Sequence, residues 1–459
     1  MEVPFGINEL RPDRVLTEIT VGCHVNGCTT VLERMRDGFQ ANERFLCKRH
    51  GIFISPSTYQ YEDHKRNLLW REDDDRAVLD RILKVKRTSQ RLGRERDEDA
   101  LTWNIVRAFH REKKLGRLAE ILLAGTQAEL PLDREPLVIY WSADLADRNS
   151  NVWELLTRAR GEFGEDDRRG TEPDIVLYWP ARCLIFVEAK FCAPNRTHPS
   201  PKPIEDDARP MKYGKHPHFA EVFNGSYREI AVTAEKYELM RLWLLGSWIA
   251  KCVDRDAAFY LVNLVRWGEE TDVEQKFGRA FCRETEKRRF IRTTWEQIWD
   301  ALPATGLSTP TVCTLDSYFR DKSCGYDASG RLQQAFTAQE DFAGDREGIY
   351  RGTTPSPEID SLWFQSRDAW RRIWSPPRTI QQLIFRILRG SNDAAIDLHH
   401  LSATECDLDD NIARNIVEAF RASGWRPPDE VAPRSDCHKS SLGQDGSTEP
   451  ARRRARKRS

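Results

Sequence analysis

Apolar positions recur at helical spacing over residues 97–115 (DEDALTWNIVRAFHREKKL), with Leu101, Ile105 and Phe109 on one stripe. Before it, the charged stretch 71–96 carries Val78, Leu79, Ile82 and Leu83 at the same spacing, which predicts a connecting helix. The pattern then shortens. Residues 137–141 (LVIYW), 174–179 (DIVLYW) and 183–191 (CLIFVEAKF) predict three strands, the last two joined by Pro180-Ala181-Arg182. A long apolar helix follows within 227–252, then a buried strand at 258–265 (AFYLVNLV). Residues 289–302 predict a short strand and a helix starting at Thr293 or Thr294. The order is helix, three strands, helix, strand, so 97–302 reads as an α/β (α+β) domain.

The remainder is less regular. Residues 1–70 are short, mixed and rich in turn formers. Residues 192–218 are Pro-rich and polar, which predicts a long loop or lid. Residues 303–425 read as a mixed, largely helical C-terminal region, and 426–459 as a disordered basic tail. No internal repeat is visible.

Composition narrows the function classes. The 459 residues are 39% hydrophobic and 31% charged, enough to bury a core. No apolar run approaches the ~20 residues that span a bilayer. The N-terminus lacks the apolar stretch of a signal peptide, so a cytoplasmic protein with no membrane partner is expected. Net charge is −1, but residues 451–459 (ARRRARKRS) hold six positive charges, leaving about −7 on the rest. That tail is either a phosphate-binding arm, a nuclear address or a solubilising end. Eleven Cys, an odd number, argue against a disulfide framework.

The candidate chemistry lies in two places. The first is TEPDIVLYWPARCLIFVEAKF. Glu188 and Lys190 share a strand face because side chains alternate. A three-residue loop at 180–182 sets Trp179 opposite Cys183 and therefore Asp174 opposite Glu188, where Cβ atoms lie ~4.5–5.5 Å apart. Two such carboxylates repel, and a cation relieves the repulsion. All-oxygen donors suit Mg²⁺ or Mn²⁺. Lys190 is close enough to serve a metal-bound water or a phosphate oxygen, as phosphodiester hydrolysis requires. The plainer reading is a hairpin with solvated charges at its ends.

The second place is Cys23-x4-Cys28, then eighteen residues, then Cys47-x2-His50. Two ligands from each of two loops make a closed, structural Cys₃His zinc site, with His24 as the alternative to His50. Gly22, Gly27 and Gly51 fit tight knuckle turns. Nearby Phe53, Tyr59 and Tyr61 either stack on bases or pack on this module; His64 has no assigned role.

Pro173-Asp174, with Glu188-Ala189-Lys190 fourteen positions on, resembles the PD-(D/E)XK nuclease superfamily. The helix–three strands–helix–strand order is similar to its restriction-endonuclease-like αβββαβ core. Residues 1–70 resemble zinc-ribbon modules placed before nuclease domains. The resemblance implies that Asp174 and Glu188 ligate a divalent metal, that the Ala189 carbonyl adds a ligand, and that Lys190 positions water or stabilises the transition state. It also implies a Glu from the first core helix, best matched by Glu98, with Asp97 and Asp99 as neighbours that could take its place. On the second core helix, Glu235 and Lys236 read as a solvated face. The implied partner is nucleic acid, DNA ahead of RNA, with room for a homodimer or a partner protein. The alternatives are a non-catalytic nucleic-acid binder and a zinc-stabilised scaffold docking through 303–425.

Among weaker signals, His198, His216, His218, Lys202, Lys212 and Lys215 line the Pro-rich loop, as substrate contacts or as a polar insert. Trp243, Trp248, Trp267, Trp295 and Trp299 read as core; Cys183, Cys192 and Cys252 read as packed thiols.

Overall fold

The computed structural model describes residues 3–86, 89–145, 152–165, 170–199 and 212–336. The expected helices within 337–425, the tail and Lys202 lie outside the described residues.

The first 61 residues build two small sheets. Strands β1 (Thr20–Gly22) and β2 (Val31–Glu33) form one; β3 (Leu46–Cys47), β4 (Ile52–Ile54) and β5 (Tyr59–Tyr61) form the other. Their core is slight, with Val21, Ile52, Ile54, Tyr59 and Tyr61 buried around the three cysteines. Helix α1 (Asp73–Val85) follows, with three aspartates in its first turn facing the positive helix end. It buries Leu79 and Ile82, while Val78 and Leu83 pack at the edge.

Helix α2 (Glu98–Arg111) is capped by Asp97, whose carboxylate accepts from the Asp99 N–H (3.3 Å). The expected stripe is fully buried. Then come α3 (Leu115–Leu122), β6 (Leu137–Tyr140), β7 (Ala143–Asp144), α4 (Glu154–Glu162), β8 (Ile175–Trp179) and β9 (Cys183–Ala189). After the Pro-rich segment, α5 (Pro217–Val222), α6 (Tyr237–Val253), β10 (Ala258–Val265) and β11 (Arg288–Thr294) complete the domain. Thr294 caps α7 (Trp295–Ala301) with a reciprocal Gln297 contact. Finally α8 (Thr309–Asp321) leads into the hairpin β12 (Ser323–Tyr326) and β13 (Leu332–Gln334).

The central sheet is mixed, six strands in the order β11-β10-β9-β8-β6-β7. Strands β9, β10 and β11 are parallel; β6, β8 and β9 are antiparallel. Parallel neighbours need a crossover, and α6 supplies the one between β9 and β10. Alternation divides each strand between two cores. Cys183, Ile185 and Val187 face α2, α3 and α7; Leu184 and Phe186 face α4 and α6. The architecture is therefore α+β, with the expected strands in place. Strand β7 and helix α4, inserted between the first two expected strands, were not anticipated.

Trp243 and Trp295 are fully buried, and Trp299 nearly so. Trp267 is 37% exposed, which corrects its core assignment; it sits just past the end of β10, where the chain turns out of the sheet. No helix among the described residues is long and apolar enough to cross a membrane.

The α6–sheet contact depends on one glycine. A Cβ on Gly246 would lie 2.2 Å from the Phe259 ring, itself wedged against Phe186 and Trp243 at centroid distances of 5.5 and 5.6 Å. Because that ring has no free direction, Gly246→Ala is expected to destabilise the protein by about 1–3 kcal/mol through overpacking. Urea unfolding followed by tryptophan fluorescence measures this; an unchanged midpoint would contradict the packing described.

Candidate active site and metal cluster

The β8–β9 hairpin sets the first site. Ala181 adopts a left-handed backbone (φ 59°) in the loop 180–182, and the register runs from Trp179↔Cys183 to Ile175↔Val187. Asp174 lies one step beyond, its N–H bonded to the Val187 carbonyl (3.1 Å). Residues 174, 176, 184, 186 and 188 share the α6 face of the sheet by alternation. Both Asp174 oxygens are fixed by donors: Oδ1 accepts from the Trp141 indole (3.0 Å), and Oδ2 from the Ala189 N–H (2.8 Å).

Glu188 is buried at the end of β9, and the Lys190 ammonium contacts its Oε1 directly. On its other side Lys190 lies 3.3 Å from Glu238 Oε2, on the first turn of α6. Glu98 enters from the first turn of α2. These groups surround a polar cavity of about 180 Å³, with Lys86, Arg91, Asp99, Glu172 and Arg241 also in its wall.

The electrostatics follow from burial and like charge. Burial raises Asp174 to about 6, against the pull of Lys190 and Lys86. Burial raises Glu98 to about 7, helped by Asp97 and by Asp174. Glu188 is pushed well above the carboxylate range by burial, then by Glu238 and Asp174. Burial opposes the Lys190 charge, yet Glu188, Glu238, Asp174 and Glu98 together hold its pKa well above the ordinary lysine value. The cavity therefore carries more acid than its single central lysine neutralises.

All four expected residues, Glu98, Asp174, Glu188 and Lys190, thus meet at one cavity, beside Ala189. Asp97 is instead the α2 cap, and Asp99 is paired with Lys86 (3.0 Å). Several cavity residues were not singled out by the sequence pattern, among them Glu238, Lys86 and Trp141. Glu238 sits on α6, close to Glu235 and Lys236. Lys236 is not solvated but bonds the Asn195 carbonyl (3.1 Å) and Glu270 (3.4 Å), because the helix starts one residue later and the lysine turns back over the loop. Lys86 lies over the Trp141 ring (4.0 Å). Trp141 itself adopts a left-handed backbone (φ 44°), costly for a bulky residue and invisible to periodicity.

The second site is the zinc-type cluster. Ligand atoms of Cys23, Cys28, Cys47 and His50 all lie within 4.8 Å of one another. His50 Nδ1 is 3.4 Å from Cys23 Sγ and 3.5 Å from Cys47 Sγ, and Cys28 Sγ is 4.0 Å from Cys47 Sγ. A tetrahedral zinc with ~2.3 Å bonds to sulfur and ~2.0–2.1 Å to nitrogen implies S···S of about 3.8 Å and S···N of about 3.5 Å. The four residues fit such an ion. Gly27 (φ 71°) and Gly51 (φ 57°) make the two knuckle turns. His24 is no ligand: its Nε2 meets the Ser55 carbonyl (3.1 Å), and its ring packs on Tyr326.

Several expectations resolve on the plainer side. Tyr59 and Tyr61 are buried in the module, unable to stack on bases. His216 pairs with Glu162 (3.0 Å), and buried His218 sits between Glu221 and Ser247. Cys183 is packed, but Cys252 is exposed, lying on the outer face of the last turn of α6. Cys192 is not isolated; Cys324 lies beside it.

Comparison with family models, curated proteins and solved structures gives no match to this chain.

Cys28→Ser is expected to lose the bound zinc of the parent protein and to expose residues 3–61 to limited proteolysis, since this segment has little core of its own. A metal-free parent that resists proteolysis would contradict the assignment. Separately, raised carboxylate values stabilise the metal-free fold fully below about pH 4, and that contribution is lost as pH rises through about 6 for Asp174 and about 7 for Glu98. Glu98→Gln is therefore expected to gain on the order of 2 kcal/mol relative to the parent between about pH 4 and pH 8. Thermal melts in chelator across this range give the difference; parallel curves would contradict it.

Proposed function

We propose that the chain is a metal-dependent nuclease of the PD-(D/E)XK type that hydrolyses phosphodiester bonds, in DNA ahead of RNA. The observation that carries the reading is the convergence of Asp174, Glu188, Lys190 and Glu98 on one polar cavity, three of them from adjoining strand ends. The element order α2, β6, β8, β9, α6, β10, once β7 and the intervening helices are set aside, is the order the sequence resemblance implies. Preference for DNA comes from that resemblance, as does a restriction-like or defence role.

The donor set fits a divalent cation. Asp174, Glu188 and the Ala189 carbonyl offer hard oxygen ligands, and the raised carboxylate values mark negative charge short of a partner. Such an ion supplies Lewis acidity and lowers the pKa of a bound water. The chain supplies the rest. Trp141 and the Ala189 N–H fix the Asp174 carboxylate in the cavity wall. Lys190 is held fully charged, suited to the negative charge that develops on phosphate oxygens. Glu98, near neutrality in its proton affinity, can hold or release a proton at working pH. Glu238 keeps Lys190 in place from the opposite side.

The test is incubation of the full chain with plasmid DNA, single-stranded DNA and RNA in Mg²⁺ or Mn²⁺. Metal-dependent cutting is expected, weakened about 10²–10³-fold in Asp174→Ala and in Lys190→Ala, and falling as pH drops through the range where Glu98 and Asp174 protonate. Binding without cutting would replace this reading with a nucleic-acid-binding protein. The absence of both would leave a zinc-type scaffold.

A further inference from the structure

The loop that leaves β9 meets the C-terminal hairpin at a pair of thiols. Cys192 lies two residues beyond Lys190; Cys324 lies on β12. Several contacts hold the two segments together. The Phe191 ring sits 5.7 Å from that of Phe336, and the Lys322 ammonium lies 5.6 Å from the Phe191 ring. Arg266 donates to the Phe191 carbonyl (2.7 Å) and to the Ala335 carbonyl (3.4 Å), joining the two segments. Between them the Cys192 and Cys324 thiols are close enough to interact, and both side chains are only partly buried.

We infer that Cys192 and Cys324 are a redox modification site, closing to a reversible disulfide through exchange with a small-molecule disulfide such as glutathione disulfide. The two residues differ in character. Cys192 is lowered to about 7, first by its interaction with the Cys324 thiol and further by the Arg266 and Arg96 guanidinium groups. Cys324 is raised, first by that same interaction and then by burial. Cys192 is thus the attacking thiolate and Cys324 the resolving thiol. The Cys192 sulfur attacks one sulfur of the reagent; the reagent S–S bond breaks, and one glutathione leaves as its thiol. Cys324 then gives up its proton and attacks Cys192 Sγ; the mixed disulfide breaks and releases the second glutathione. Two protein thiols are oxidised, one small disulfide is reduced, and both protons leave on the two small thiols.

The site is separate from the Cys₃His cluster. Cys23, Cys28 and Cys47 face one another and His50. Cys183 and Cys282 are buried without a thiol partner among the described residues. The disulfide does not depend on the nuclease reading. Its bearing on cleavage does, because it would tie the segment following Lys190 to β12. That hairpin also grips the N-terminal module: Tyr326 N–H bonds the Ser57 carbonyl (2.7 Å), and its hydroxyl donates to the Arg11 carbonyl (2.8 Å).

The experiment treats the folded, zinc-loaded full chain with glutathione disulfide, blocks free thiols and maps peptides without reduction. The expected result is a peptide joining Cys192 to Cys324, abolished by dithiothreitol, with zinc content unchanged. In Cys324→Ser, Cys192 is expected to remain as its mixed disulfide with glutathione. If the parent instead yields both cysteines separately blocked, or separately glutathionylated, while its circular dichroism stays native, the inference is overturned. Both results are read on the parent protein, so they hold even if a variant misfolds.

Discussion

Unbalanced negative charge at the ends of β8 and β9 is the constraint around which this protein is arranged. Glu98, Asp174, Glu188 and Glu238 all act on Lys190, while Lys86 is paired with Asp99 and reaches Asp174 as well. At an effective dielectric near 20, each like-charged pair about 4 Å apart costs about 4 kcal/mol. The fold answers this by raising the proton affinity of Asp174, Glu98 and Glu188 and by aiming donors at Asp174 from two directions. Nothing in core packing requires four acids here. A sheet end built only for stability would carry apolar or singly paired groups.

The scaffold transmits that constraint outward. Glu95, three residues before α2 begins, is buried; it holds the Lys322 ammonium (2.9 Å) and the Ser323 N–H (3.1 Å), and its own N–H meets the Tyr59 carbonyl (3.1 Å). One residue, through its carboxylate and its own N–H, therefore ties together the N-terminal module, the start of α2 and the C-terminal hairpin. Glu98 inherits its position from this junction. The Cys₃His cluster, by ordering β3 to β5, thereby helps to locate a residue of the cavity without touching it.

How much of this was legible in the sequence depends on what each feature's signal consists of. The β8–β9 hairpin was readable because period-two alternation and a three-residue loop fix both register and face, and Asp174, Glu188 and Lys190 follow from them. The Cys₃His set was readable because ligand spacing is a local property. Glu238 was not: a glutamate at the start of a helix is ordinarily solvated, and only the height of β9 beneath α6 brings it to Lys190. Lys86 lay in the charged stretch 71–96, off the apolar stripe of Val78, Leu79, Ile82 and Leu83, where nothing in the spacing marked it. Trp141 was read as the last residue of the 137–141 strand, but that strand ends at Tyr140, because Trp141 turns into a left-handed backbone held by Lys86 and Asp174. The β12–β13 hairpin has weak alternation, so its role in joining the module to the core arises only from tertiary contacts.

The placement of Lys190 between two glutamates has a consequence for how the cavity works. The same oxygen of Glu188 cannot both accept from an ammonium and coordinate a cation at full strength. In the structure the Lys190 ammonium pairs with Glu188 directly. Glu238 offers it a second partner at 3.3 Å, on a partly exposed side chain that can follow a small shift. Where a cation displaces its contact with Glu188, Lys190 retains an acidic partner in Glu238 and so stays ionised. A lone Glu188–Lys190 pair, with no third group, would instead be locked together by its own burial.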